Sequence, residues 1–165
     1  MTSRELYIQR LKIEIPVTLQ VLKALPKDRL SYKPDDRSPS AEQLAWTLAQ
    51  ELQSCVEAII DFTGEWKVIP PPPIEEILKK FEQEAKKLGE LVPKADDEAW
   101  DRVAKFYYEG KVVSEQPAGT FIWLCLFDSI HHRGQLTAYL RPMGGKVPAI
   151  YGPSADDTGG YGAWQ

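Results

Sequence analysis

The stretch "FIWLCLFDSIHHRGQLTAYLRPMGG", residues 121–145, decides how this chain folds. Its first seven residues are apolar on every side, so a helix made from them must be touched by neighbours on several faces. Pro142 ends that helix, because the residue before a proline avoids the α region, and Gly144 and Gly145 complete the turn. The spacing predicts a helix from near Pro117 to Arg141, placed in the middle of the assembly. Gly134 costs such a helix about 1 kcal/mol against alanine, and close approach of another backbone or a bound group is the expected reason for it.

Three more helices are legible on either side. The first runs from about Ser3 to Leu25, opened by a capping box of Thr2 and Glu5 and carrying Leu11, Ile15, Thr18, Leu22 and Leu25 on one face. Pro16 lies inside it and is expected to kink it. The second opens at Ser40 with Gln43 as its capping partner, continues through Leu44, Leu48, Leu52, Cys55 and Ile59, and is expected to stop near Gly64. The third, "IEEILKKFEQEAKKLGELV" at 74–92, has an apolar face with glutamates early and lysines late, as the helix dipole favours. Residues 96–115 mix signals: "DDEAWDRVAKF" reads as a short helix and "YYEGKVV" as a glycine turn, so no element is predicted there.

Four long amphipathic helices with two long connections predict an all-α four-helix bundle. Residues 1–150 are expected to form that single domain, and 151–165 an extended or flexible tail whose Tyr151, Tyr161 and Trp164 dock onto a surface. A chain of 165 residues suits one such domain. Its net charge of -4, with lysines interleaved among glutamates, argues against a nucleic-acid partner, which needs a basic face. No apolar run reaches the ~20 residues of a membrane span, and the charged opening "MTSRELYIQRLK" has no signal-peptide core, so a cytoplasmic protein is expected. Cys55 and Cys125 read as two reduced core thiols.

The chemistry-bearing residues are on the fourth helix. Asp128 and His132 are four apart and share a face, with Gln135 and Tyr139 continuing the line. A carboxylate and an imidazole stacked in this way can hold a divalent ion. The same pair can also be a plain intrahelical ion pair covered by Arg133. His131 points about 100° away from His132 and is expected to orient a ligand or face a neighbouring helix.

"HHRGQL", followed by "YLRPMGGKVP" and "YGPSADD", resembles the DinB family of bacterial four-helix-bundle proteins. The likeness extends to the opening helix, the "LPKDRLSYKP" loop and "SAEQLAW" on the second helix. It implies a divalent metal, zinc or nickel in character, held by three histidines: one from the second helix and two four apart on the fourth. It further implies transfer of a low-molecular-weight bacterial thiol to a small electrophile, the metal lowering the thiol pKa, and association into a homodimer. Carried over, His132 matches one fourth-helix ligand and Asp128 stands where the other is expected. The second-helix position falls on Thr47, a neutral and poor ligand, so the metal can be absent. Glu51, one turn later, can replace it, and the set Glu51, Asp128 and His132 would favour harder metals. The alternative is a non-catalytic bundle with a degenerate site, serving as a small-ligand-binding or structural dimer.

Overall fold

The computed structural model describes residues 1–158. Both capping boxes form. Thr2 and Glu5 start α1 (Ser3–Lys23), which runs unbroken through Pro16, and Ser40 and Gln43 start α2 (Ala41–Ile60). The third long helix is α3 (Ile74–Leu91), followed by a single 3₁₀ turn at Val92–Lys94 and the short α4 (Asp97–Asp101), capped by the Asp96 carboxylate on the Ala99 N–H. The fourth long helix, α5 (Ala118–Leu140), begins right after Pro117.

The expectation of an all-α bundle is corrected by a three-stranded sheet built from the connections: β1 (Thr63–Trp66), β2 (Val103–Tyr108) and β3 (Lys111–Pro117), in the order β1-β2-β3. β1 runs parallel to β2 and β3 antiparallel to it. A parallel pair needs a long crossover, and α3 lies within the connection between β1 and β2. Gly64 is therefore not the stop of α2 but a strand residue opposite Phe106. A side chain there would press on the Phe106 and Phe121 rings at 3.2 Å, so glycine lets the sheet close onto α5. The unassigned segment 96–115 resolves into α4, β2 and a tight hairpin. Tyr108 pairs with Lys111 across Glu109 and Gly110, both at positive φ, the backbone of a two-residue turn whose twist suits paired strands.

The core joins α1, α2, α3 and α5 through Leu22, Leu44, Leu48, Ile77, Leu88 and Leu136, each all but fully buried. The buried middle is α2 rather than α5: most of α2 is covered, whereas Leu124 and Phe127 of α5 are 50% and 57% exposed. Arg133 does not cover the Asp128–His132 pair. It turns to the other side of α5, where it is buried and bonds Glu14 of α1 at 2.6 Å and Thr18 at 3.3 Å. Tyr151 joins this group, its hydroxyl 2.8 Å from Glu14 and 2.5 Å from Arg133. Asp156 accepts from Arg141 and from the Val147 N–H. Tyr161 and Trp164 lie outside the described residues. No helix among the described residues is long and apolar enough to cross a membrane. Cys55 and Cys125 are both free thiols.

Candidate metal centre

α2 and α5 pack side by side, and their facing positions build the site. Glu51 lies on the buried face of α2 with only 6% of its surface exposed. Across from it, Ser129 of α5 donates its hydroxyl hydrogen to Glu51 Oε2 at 2.5 Å. The other oxygen, Glu51 Oε1, is buried with no hydrogen-bond partner. Burial raises the Glu51 carboxyl well above the ordinary range. The Ser129 hydrogen bond opposes that, while the Cys125 and Asp128 charges reinforce it. An unpaired buried carboxylate oxygen is costly and calls for a cation or a proton.

His132 faces that oxygen. Its Nδ1 lies 2.9 Å from Gln135 Oε1. An amide oxygen only accepts, so Nδ1 donates a hydrogen to it, and this bond turns the Nε2 edge of the ring towards the carboxylates. Nε2 then stands 3.6 Å from Glu51 Oε1 and 3.5 Å from Asp128 Oδ2. These distances are too long for hydrogen bonds. They are close to the spacing of two ligands on one ion, roughly 3.4 Å when each lies ~2.1 Å from zinc at a tetrahedral angle. The three ligand atoms all lie within 4.8 Å of one another. Two carboxylates and one imidazole, one oxygen orphaned among them, fit a divalent cation, and the Gln135 contact is the outer support that such a histidine needs.

The other sequence-predicted residues fall into place around this set. Gln135 orients His132, whereas Tyr139 is a turn too far along and anchors α5 instead, its hydroxyl on the Pro39 carbonyl at 3.3 Å and its ring against Tyr32. Thr47 donates to the Gln43 carbonyl of its own helix at 3.0 Å and is not among the three clustered ligands. His131 is exposed beside Asp128. Gly134 has nothing within 4 Å of where a side chain would start, so the close approach expected of it is not made among the described residues.

A cavity of about 590 Å³ opens onto Glu51 and Asp128. Sequence reasoning missed its sheet wall, where Trp66 of β1, Phe106 of β2 and Gln116 of β3 face Phe121 and Phe127 of α5. No local signal marks those sheet residues as neighbours. Cys125 also lines the cavity. Its contact with the Cys55 thiol, together with burial, pushes it well above the usual thiol range, so it stays protonated and is a poor nucleophile.

The model for the DinB family matches residues 1–160 of the chain. Among solved structures, a DinB-like protein from Bacillus cereus superposes with a TM-score of 0.71 at 21% identity, covering 88% of this chain and 95% of that one. A DinB-like protein from Bacillus subtilis gives 0.65 at 21% identity, covering 83% and 90%. YfiT from Bacillus subtilis, described as a probable metal-dependent hydrolase with an unusual four-helix bundle topology, gives 0.66 at 15% identity, covering 86% and 87%. At these identities the likeness is one of fold. The uncharacterized protein YrdA of Bacillus subtilis is 35% identical over 48 residues, a match spanning 29% of this chain and 29% of that relative's length.

Proposed function

The chain belongs to the DinB family, and from that premise we propose that it is a divalent-metal-dependent enzyme that transfers a low-molecular-weight thiol to a small electrophile. Glu51, Asp128 and His132 would hold the ion. The observation that carries this reading is the orphaned Glu51 Oε1, buried opposite His132 Nε2 at a distance that suits shared coordination and not hydrogen bonding. When bound, a divalent ion lowers the pKa of a thiol or water beside it and so supplies a nucleophile at neutral pH.

The chain's own groups supply the rest. Ser129 and Gln135 hold Glu51 and His132 in register. Asp128, half outside the protein, and His131 on the cavity lining are placed to accept the thiol proton. The sulfur electron pair then forms a bond to the electrophilic carbon, and the leaving group departs with the pair that had held it. Water in place of the thiol would give hydrolysis, the activity named for YfiT. Product analysis with and without added thiol separates the two.

Elemental analysis of protein purified without a histidine tag tests the reading. The expected result is about one divalent ion per chain, lost in His132→Ala. Metal-free protein whose stability is unchanged in excess chelator would overturn it. That result would favour the second reading, a ligand-binding or structural bundle. The observation on its side is Thr47, whose hydroxyl is committed to its own helix backbone.

A further inference from the structure

We infer that the cavity beside the carboxylates selects a small, neutral, largely apolar molecule and rejects anions, with the sheet acting as its specificity wall. Only in calling the occupant a substrate does this rest on the proposed function; the selectivity follows from the lining. The apolar part is aromatic: Trp66 and Phe106 from the sheet, Phe121 and Phe127 from α5, with Leu124 beside them. The Phe106 and Phe121 rings meet at a tilt of 37° with centroids 5.2 Å apart, a preformed aromatic surface against which a flat ring can lie. Ser54, Ser114 and Gln116 add neutral hydrogen-bonding groups. Such a mixture of aromatic surface and a few polar groups is typical of small-molecule sites, and the volume lies within their usual range.

Charge decides which molecules are refused. The titratable side chains with acid or imidazole groups on the lining are Glu51, Asp128 and His131, two carboxylates against one imidazole at the exposed rim, and no lysine or arginine is among the lining residues described. Lys105 on β2, one residue from Phe106, pairs with Glu115 of β3 at 3.8 Å and is not part of the lining. A divalent ion held by the two carboxylates would be neutralised by them, so the loaded cavity presents no net positive charge, and the metal-free cavity is acidic. An anion entering it loses water and meets like charge in a half-enclosed space of low dielectric. A neutral ring pays neither cost. The inferred electrophile is therefore an uncharged, ring-bearing compound, and the inferred thiol one without carboxylates near its sulfur.

Two dyes of the same ring skeleton make the test: N-phenyl-1-naphthylamine, which is neutral, and 1-anilinonaphthalene-8-sulfonate, which carries a sulfonate. Titrated into the full chain, the neutral dye is expected to bind at one site at least tenfold more tightly than the anionic one. Phe127→Ala, at an exposed rim position, should weaken the neutral dye severalfold. Leu124→Lys, also exposed, should narrow the tenfold preference by favouring the sulfonate. Both variants keep the metal ligands, and metal content measured in parallel should stay at the wild-type level. Equal or tighter binding of the sulfonate to the wild-type chain, a neutral-dye affinity indifferent to Phe127→Ala, or a preference unchanged in Leu124→Lys overturns the inference. Protein that holds no metal as purified and keeps its stability in excess chelator, yet prefers the neutral dye, would overturn the proposed function and leave this inference standing.

Discussion

Replacing Glu51 with glutamine should make the metal-free protein more stable while destroying its response to metal. In wild type the carboxylate is buried with Oε1 unpaired. A buried polar group without a partner costs about 1–3 kcal/mol. Glutamine keeps the shape: its oxygen can still accept from Ser129, and its neutral amide takes the place of the buried charge opposite His132 Nε2, which the carboxylate faces at 3.6 Å. The gain should therefore be about 1–3 kcal/mol, which for a chain of this size raises the melting temperature by roughly 2 to 10 °C. The effect has a pH signature. Burial holds the native Glu51 carboxyl above its unfolded value, so its contribution is fully present below about pH 4.3 and is lost as pH rises through the elevated native pKa. The advantage of Glu51→Gln over wild type should thus be small near pH 4 and grow towards pH 8. Added zinc or manganese at a hundredfold over its dissociation constant should stabilise wild type by about 2.7 kcal/mol and the variant hardly at all. Differential scanning calorimetry in chelator, from pH 4 to 8 and then with metal, reads all of this. A variant less stable than wild type in chelator at pH 7.5 would refute the reasoning, because it would mean that the carboxylate already has its partner.

Gln135→Leu removes the oxygen that fixes the His132 ring, and should weaken metal binding roughly 10- to 100-fold while leaving the metal-free melting temperature within a few degrees. Competition against a chromophoric chelator checks it, and an unchanged affinity would show that the 2.9 Å contact does not orient the imidazole. Gly134→Ala meets open space at a helix interior position, so it should stabilise the chain by about 1 kcal/mol, read as a higher denaturant midpoint with unchanged slope. A loss of stability there, accompanied by a change in oligomeric state by light scattering, would show that a second copy packs against that face.

Local rules carried the helices. Capping boxes at Thr2 and Ser40, the amphipathic face of 74–92 and the stop before Pro142 depend on residues within one or two turns of each other, and each formed where the sequence puts it, although Arg141 keeps α-region backbone, so the stop is not due to that residue avoiding it. So did half of the site, since the Asp128–His132 spacing and its Gln135 support are fixed by the helical repeat alone. The sheet was not legible in this way. β1 has four residues, and its parallel partner lies beyond the whole of α3, so no local alternation announces the pairing. The exposed Val103, Val112 and Val113 blur the alternation of β2 and β3 further.

What the sequence by itself determined was which residues could share a helix face, because 3.6 residues per turn allow little choice. What only the tertiary structure decided was which faces meet. Packing of α2 on α5 brought Glu51 to His132, left the Thr47 hydroxyl on its own helix backbone, and gave one Glu51 oxygen no partner among the described residues. It also turned Arg133 away to Glu14 and set three strands against α5 as an aromatic wall. Those outcomes depend on contacts between residues dozens of positions apart, where burial and distance are properties of the folded chain and not of any stretch of it.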